Sequence, residues 1–185
     1  LKLVSGVDVR QRGPLGAQTD VSIRGGNYEQ MTVLLNGINI GDPQTGHNAF
    51  DFPVDISEIE RIEILEGPAA SVYGTSSLLG AINIVTKANR TSSVTLHAAS
   101  GSFGSVTSGG RINVARGKWN NQLSGSFMRT DGYNRNKAGA LNTDFRSQKA
   151  FYQGFYDDDD LSISWHAGLS NKDFGSSTNY SSKYD

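Results

Sequence analysis

The sequence predicts an α+β unit over residues 1–90, followed by about five antiparallel strands over residues 91–185. Composition changes sharply between the two parts. All five glutamates lie in residues 1–90, whereas thirteen of the seventeen aromatic residues lie beyond residue 90. A change of this kind is typical of a domain boundary, and Lys87–Ser93 has the polar composition of a linker.

Overall composition excludes several classes of protein. Lys+Arg 17 against Asp+Glu 18 gives a net charge of -1, which excludes a nucleic-acid binder that relies on a broad basic surface. Cys 0 excludes a disulfide framework, a thiolate metal site and a cysteine nucleophile. The chain has 22 glycines and only 36% hydrophobic residues, so few apolar side chains are available to fill a large hydrophobic core.

Short β-branched runs in the first part predict strands separated by turns. In order, these runs are Val7–Val9, Val21–Arg24, Met31–Leu35, Ile38–Ile40, Arg61–Leu65 and Ala81–Thr86. Asn36-Gly37 predicts a tight hairpin, because both residue types tolerate a positive φ.

The segments between these strands carry helix and turn signals. Pro53–Ile59 predicts one helical turn capped by Asp55 or Ser57. Glu66–Pro68 is expected to end the preceding strand, and residues 69–79 predict a short helix that stops at Gly74.

Residues in the second part alternate between apolar and polar, which is the pattern of strands with one face in contact with water. Leu161–Leu169 has the clearest two-residue period. The same pattern recurs more weakly at Val94/Leu96/Ala98, Ile112/Val114 and Leu123/Gly125/Phe127. Connections are short at 101–105 and 116–121, long at 133–147, and short again at 157–160, before a tail from residue 175. Alternating turns and loops of this kind are typical of outer-membrane barrels.

Particular side chains fit this barrel interpretation. Near the predicted strand ends lie four aromatic residues suited to an interfacial girdle: Trp119, Tyr152, Tyr156 and Trp165. His97 and His166 fall on the polar faces of their strands, where they would face a lumen.

Residues Val54–Lys87 resemble the plug domain of TonB-dependent outer-membrane receptors. Three upstream stretches, Val4–Val9, Ile23–Gly26 and Val33–Ile38, are similar to the other plug motifs in the same order. The resemblance implies an α+β plug domain over 1–90 and the first strands of an incomplete outer-membrane β-barrel over 91–185. It also predicts a fragment, lacking an upstream TonB-contacting segment and most of the barrel.

The resemblance implies transport across the bacterial outer membrane, with no catalysis and no cofactor or resident metal. A scarce nutrient would bind outside and enter the periplasm when TonB rearranges the plug. Arg10–Gln18 and Gly41–Asn48 are similar in style to cobalamin (vitamin B12) receptors of gut Bacteroidetes, and a siderophore or haem receptor is the alternative. The implied partners are TonB, cobalamin or a ferric siderophore, and outer-membrane lipid, with a surface lipoprotein as a further candidate and no nucleic acid.

Site residues follow from the same resemblance. The apical plug loops would bind substrate through Arg12, Gly13, Leu15, Gln18, Gln44, Thr45, His47 and Asn48, and barrel loops would add Tyr133, Tyr180 and Tyr184. A plug lock and its motif would comprise Arg24, Glu63, Glu66, Gly67, Pro68, Tyr73 and Gly74. Arg24 would pair with barrel carboxylates. Glu66 departs from the Lys or Arg usual before Gly-Pro, which puts the second half of that lock in doubt.

Several of these features also have simpler interpretations. His47 fits a solvated loop residue better than a ligand. Asp157–Asp160 lacks the spacing of a calcium loop and predicts a charged turn. The sequence contains neither a Gly-x-Ser-x-Gly motif nor the spacing of a phosphate loop, so neither motif points to an enzyme. A secreted β-rich binding module is the alternative from another class, and it requires polar outward strand faces.

Overall fold

The structure is a computed structural model that describes residues 6–12, 18–26, 30–41, 51–67, 72–73, 79–133 and 143–175. The chain forms two compact units. Unit 1 comprises residues 1–52 and 59–86, and unit 2 comprises residues 53–58 and 87–185. Residues 53–58 therefore belong with the later strands, although they lie within the plug-like sequence.

Unit 1 contains a hairpin and a four-stranded sheet. Strands β1 (Val7–Arg12) and β2 (Gln18–Ile23) form the antiparallel hairpin. The sheet has the order β4-β3-β6-β5. Its strands are β3 (Met31–Leu35), β4 (Ile38–Asn39), β5 (Ile59–Glu66) and β6 (Gly80–Thr86). All six predicted strands of this part are confirmed, with β1, β2 and β5 longer than expected.

A tight turn at Asn36-Gly37 joins β3 and β4, as the sequence predicts. Both residues have positive φ, 51° and 83°, which is the geometry of the hairpin turn that this residue pair favours. The Asn36 side chain also donates to Thr86 Oγ1 at 2.9 Å and accepts from the Thr86 amide at 2.9 Å. The turn is thereby fastened to the end of the neighbouring strand β6.

The core of unit 1 lies on β3 and β6. Every residue of β3 is buried, and the strand lies between β4 and β6 in the sheet. Val33, Leu34, Ile82 and Ile84 are at most 2% exposed. At Gly80 an added Cβ would lie 2.5 Å from the Leu65 carbonyl oxygen, so β5 approaches β6 too closely for any side chain there.

Unit 2 is a five-stranded antiparallel sheet in chain order, together with residues 53–58. Its strands are β7 (Ser93–Ser100), β8 (Val106–Arg116), β9 (Trp119–Thr130), β10 (Phe145–Asp157) and β11 (Ser162–Phe174). Residues Ile56–Glu58 form a single 3-10 turn, which confirms the predicted helical turn. The count of five strands agrees with the sequence, and four of them are 11–13 residues long.

Connections between these strands follow the predicted alternation, with small shifts. The expected turn over 116–121 narrows to Gly117-Lys118, because Arg116 and Trp119 already pair with each other. The long connection ends at Asp144, since β10 begins at Phe145. The charged turn after β10 is confirmed: Arg90 Nη2 lies 2.8 Å from Asp157 Oδ2, and Lys118 Nζ pairs with Asp158.

The two faces of the unit 2 sheet differ in chemistry. One face, here called the outer face, carries the exposed apolar side chains Val94, Leu96, Ile112, Val114, Leu123, Ile163 and Leu169. The other, the inner face, carries polar groups including Arg111, Asn113, Gln122, Lys149 and Gln153, and the strand register places His97 and His166 there too, as predicted. Within the described part of the chain, no helix is long and apolar enough to cross a membrane.

Three of the predicted aromatic residues, Trp119, Tyr156 and Trp165, gather on the outer face at its short-turn end, and Tyr152 adjoins them in the row of Leu123. The Trp119 ring centroid lies 4.8 Å from that of Tyr156 and 6.1 Å from that of Trp165. Tyr152 donates its hydroxyl to Asn121 Oδ1 at 2.7 Å. At Gly154 a Cβ would lie 2.3 Å from the Trp165 ring, so this glycine makes room for the indole.

Of the predicted helix over residues 69–79, only residues 72, 73 and 79 are described. That helix, and with it the helical part of the α+β unit, stays a prediction. In unit 1 the described residues are organised mainly as strands.

Candidate functional site

Most predicted substrate contacts lie outside the described residues. These are Gly13, Leu15, Gln44, Thr45, His47, Asn48, Tyr180 and Tyr184, together with the motif residues Pro68 and Gly74. Arg12 and Gln18 form the last backbone pair of the β1–β2 hairpin. Tyr133 is exposed and packs edge-on against Phe103, with ring centroids 5.3 Å apart. Substrate binding by these residues stays a prediction.

Arg24 pairs with Glu66 inside unit 1. Its Nε and Nη2 atoms lie 3.0 Å and 2.7 Å from Glu66 Oε2. The Arg24 backbone has φ 53°, and its amide donates to the Gly6 carbonyl at 2.7 Å, which turns the side chain toward the end of β5. Among the described residues Arg24 thus pairs with a carboxylate of unit 1, and its expected pairing with barrel carboxylates stays a prediction. The unusual Glu66 is itself the partner, because an acidic residue here complements the arginine.

The predicted motif residue Glu63 lies in a chain of hydrogen bonds across unit 1. Asn83 Nδ2 donates to Glu63 Oε2 at 2.8 Å, and Asn83 Oδ1 accepts from the Gly37 amide at 2.9 Å. Arg61 Nε donates to Glu63 Oε1 at 2.7 Å. These hydrogen bonds lower the pKa of Glu63, and the bond from Asn83 has the largest effect. Gly67 has φ 81° and follows the end of the strand, and Tyr73 is exposed.

A buried ion pair in unit 2 was not anticipated from the sequence. Glu58 is 4% exposed, and its Oε2 atom lies 3.3 Å from Arg111 Nη1 and 3.0 Å from Gln122 Nε2. Arg111 and Gln122 come from the inner face of β8 and β9. An acidic residue at the end of the 3-10 turn thus meets a cation and an amide deep in the unit. Nothing in the spacing distinguishes Glu58 from its neighbour Glu60, so the sequence offered no signal for the pair.

Further inner-face side chains hold the backbone of residues 53–58 and 87–91. Lys149 Nζ donates to the Val54 carbonyl at 3.3 Å, and Gln153 Nε2 donates to the Lys87 carbonyl at 2.7 Å. Asn113 Nδ2 reaches the carbonyls of Asn89 and Thr91 at 2.8 Å and 2.6 Å. We call Arg111, Asn113, Gln122, Lys149 and Gln153 the inner-face array, and residues 53–58 the anchored segment.

Three further contacts fix the conformation of the anchored segment. Asp55 Oδ1 accepts from the Ser57 amide at 2.9 Å, which identifies Asp55 as the cap of the 3-10 turn. Lys87 Nζ donates to the Ser57 carbonyl at 2.6 Å. Pro53 packs on Gly168, where an added Cβ would lie 2.4 Å from the proline ring.

The Asp55 carboxyl has a lowered pKa. Partial burial alone would raise it, but hydrogen bonds from Ser57 and Ser126 and the charge of His97 outweigh that effect. A carboxyl with a lowered folded pKa stabilises the fold above its unfolded pKa of about 3.9, and that contribution disappears as pH falls through the folded pKa.

We expect Asp55→Asn to destabilise the full-length protein by about 1 kcal/mol near neutral pH. The difference from wild type should shrink as the pH is lowered below about 4, where the wild-type carboxyl also becomes neutral. Thermal unfolding of both proteins across this range measures it. A difference that stays constant with pH would contradict the assigned charge effect.

This geometry supports holding and releasing a segment rather than covalent chemistry. Among the described contacts, the anchored segment is held by a buried ion pair at Glu58 and by two hydrogen bonds to its backbone carbonyls, from Lys149 to Val54 and from Lys87 to Ser57. All of these contacts are non-covalent.

Residues 1–81 match the family described as TonB-dependent Receptor Plug Domain. The chain is 29% identical over 184 residues to the vitamin B12 transporter BtuB of Vibrio vulnificus (strain CMCP6), covering 95% of this chain and 30% of the relative. Residues 1–81 thus carry the plug domain of the TonB-dependent receptor family. Members of this family lie in the bacterial outer membrane, which is where this receptor is placed.

Solved structures support the receptor fold. The copper transporter OprC aligns with a TM-score of 0.74 at 17% identity, over 95% of this chain and 28% of its own. The siderophore receptor PirA from Acinetobacter baumannii aligns with a TM-score of 0.62 at 18% identity, over 94% and 29%. The chain thus spans about three tenths of the length of these proteins.

Proposed function

We propose that the full-length receptor is an active transporter that binds a scarce nutrient at the cell surface and admits it to the periplasm. TonB would drive the step by rearranging the plug. The observation that carries this proposal is the anchored segment, a piece of plug sequence held on the polar inner face of strands by contacts that break without covalent change. Such a segment has the chemistry of a releasable attachment.

Cobalamin is the favoured nutrient. The relative of Vibrio vulnificus is named as a vitamin B12 transporter and aligns over nearly the whole chain. Residues 12–18 and 41–50 include Gly, Gln, Asn and His, which suit an amide-rich ligand. A ferric siderophore or haem is the alternative, favoured by the fold shared with a siderophore receptor.

The remaining assignments extend this proposal. We place the boundary between plug domain and barrel strands at residue 90, and we assign substrate contacts to the apical loops and the loop tyrosines. TonB would engage a segment upstream of residue 1, outer-membrane lipid would cover the outer face, and a surface lipoprotein is a further candidate partner. Binding and release need no catalytic residue, so the receptor is proposed to be no enzyme.

A secreted binding module is less well supported. Val94, Leu96 and Leu169 are 67%, 81% and 77% exposed on the outer face. A soluble sandwich would place polar residues there, because a contiguous exposed apolar face of this kind favours aggregation in water.

Titration of the full-length receptor with cyanocobalamin and with ferric siderophores tests the proposal. We expect saturable binding of cobalamin that weakens about tenfold when Gln44 and Asn48 are both replaced by alanine, since each loses a hydrogen bond to the ligand. Replacing Arg90, which is remote from the apical loops in sequence, is the matched control. Binding of a siderophore without cobalamin would favour the alternative, and binding of neither would overturn the proposal.

A further inference from the structure

The turn between β3 and β4 contains the only Asn-Gly pair in the sequence. This pair is prone to spontaneous loss of the asparagine side-chain amide, because glycine places no side chain in the way of its own backbone nitrogen. In that reaction the Gly37 nitrogen gives up its proton and attacks Asn36 Cγ. The new N–Cγ bond closes a five-membered ring, the Cγ–Nδ2 bond breaks, and Nδ2 leaves as ammonia after taking up a proton.

Water then opens the ring at one of its two carbonyl groups. Attack at the former Cγ breaks its bond to the Gly37 nitrogen and gives an aspartate at position 36. Attack at the main-chain carbonyl of position 36 gives isoaspartate instead, in which the main chain runs through the former side chain and is one carbon longer. Both products replace a neutral amide by a carboxylate.

Strand β6 holds both reacting groups. The Gly37 amide donates its proton to Asn83 Oδ1 at 2.9 Å. The Asn36 side chain donates to Thr86 Oγ1 and accepts from the Thr86 amide, each at 2.9 Å, and the Asn36 amide donates to the Ile84 carbonyl at 2.9 Å. Ring closure requires the Gly37 nitrogen to leave Asn83 and the Asn36 side chain to leave Thr86, so β6 opposes the reaction at both ends.

Hydrogen bonds, and not burial, provide this protection. Gly37 is exposed and Asn36 is half-buried, so neither reacting group is shielded by packing within unit 1. Thr86 is 3% exposed and forms the buried part of the attachment. Groups held in this way react during brief local openings of their hydrogen bonds. The rate of deamidation therefore follows the fraction of time that the turn is detached from β6.

We propose that Asn36 is a deamidation site, which strand β6 keeps closed in the folded sheet and which opens when the turn separates from β6. The product cannot restore the original attachment, because a carboxylate at position 36 has no N–H group to donate to Thr86 Oγ1. Isoaspartate also alters the backbone of a turn that depends on two successive residues with positive φ. A transient opening thus becomes a permanent one. This inference does not depend on transport or on which nutrient is carried.

Peptide mapping by mass spectrometry measures the reaction in the full-length receptor, incubated in detergent at mildly alkaline pH. The same chain unfolded in guanidinium chloride is the reference. We expect the folded receptor to lose the Asn36 amide about 100-fold more slowly than the unfolded chain, because about three hydrogen bonds must open together and each contributes about fivefold. Thr86→Val, which keeps the backbone amide and nearly the same shape, and Asn83→Ala should each accelerate the reaction about fivefold, and the double variant about 25-fold.

Two control variants keep the result specific to the turn. Asn39→Ala removes an amide of β4 that accepts from the Gly41 amide at 2.8 Å and bonds to neither reacting group. Glu63→Ala removes the other partner of Asn83 and leaves the bond from Gly37 in place. Both variants should react at the wild-type rate.

Hydrogen exchange at the amides of β3 separates a local opening from a folding defect, and it should be unchanged in Thr86→Val. Equal rates in the folded and unfolded receptor would overturn the inference, as would a wild-type rate in the Thr86→Val/Asn83→Ala double variant. A faster reaction matched by equally faster exchange throughout β3 would also overturn it, because stability of the whole sheet would then provide the protection.

Discussion

Arg111→Met is expected to destabilise the full-length receptor by about 3–5 kcal/mol, because it leaves the Glu58 carboxylate buried without its cation. Glu58 and Arg111 side chains are 5% and 11% exposed, so water cannot replace the lost partner. Of the described donors, Gln122 Nε2 at 3.0 Å and Ser57 Oγ at 3.5 Å would remain beside the carboxylate, and both are neutral. Hydrogen exchange at the amides of residues 53–58 should accelerate at least about 100-fold, since every 1.4 kcal/mol or so corresponds to a factor of ten.

Two further variants make this prediction specific. Arg90→Met breaks an Arg–Asp pair whose arginine is 85% exposed, and such surface pairs contribute about 0–1 kcal/mol. Glu58→Gln/Arg111→Met removes both charges and should recover much of the loss, because no uncompensated charge stays buried. If Arg111→Met cost no more than Arg90→Met, the buried pair would not anchor the segment.

Leu123→Arg is expected to reduce the stability of the receptor in a bilayer by about 2–4 kcal/mol, the cost of a cation near the middle of a lipid-facing strand. Leu123 lies in the central rows of the outer face, level with Val94, Ile112 and Ala167. Reversible unfolding in lipid vesicles measures the change.

Ile163→Arg provides the control of similar size. Ile163 is a large aliphatic residue on the same face but lies in the end row with Trp119 and Tyr156, where the cost of arginine falls to about 0–1 kcal/mol. Equal effects at the two positions would mean that depth in a membrane does not govern this face, and would favour a water-exposed or protein-covered sheet.

Much of the fold could be predicted from local patterns. Asn36-Gly37 specifies its turn because its conformational preference is intrinsic to the two residues. The strands of unit 2 follow from alternation, as in Leu161–Leu169, because one face meets apolar surroundings and the other does not. Strand ends were less certain. Arg116 and Trp119 continue a ladder through backbone pairing that side-chain chemistry does not reveal.

The site was harder to predict than the fold. A plug motif identifies Arg24 and Glu66 as notable, but their mutual contact depends on β2 and β5 being brought together over 42 residues of sequence. Glu58 and Arg111 are separated by 53 residues and join through tertiary packing alone. Neither pairing has a period or spacing that a single sequence displays.

The inner-face array binds residues 53–58 and 87–91 mainly through their backbone carbonyl groups. Its lysine and amide groups bind the carbonyl oxygens of Val54, Lys87, Asn89 and Thr91, and every amino acid provides such an oxygen. Sequence drift at Val54, Asn89 and Thr91 should therefore be tolerated in evolution, whereas the array itself, Glu58, the turn-capping Asp55 and Lys87, whose side chain binds Ser57, are constrained. The side chains that hold residues 53–58 and 87–91 therefore lie mainly in strands β8, β9 and β10, and the sequence of the bound residues is less constrained.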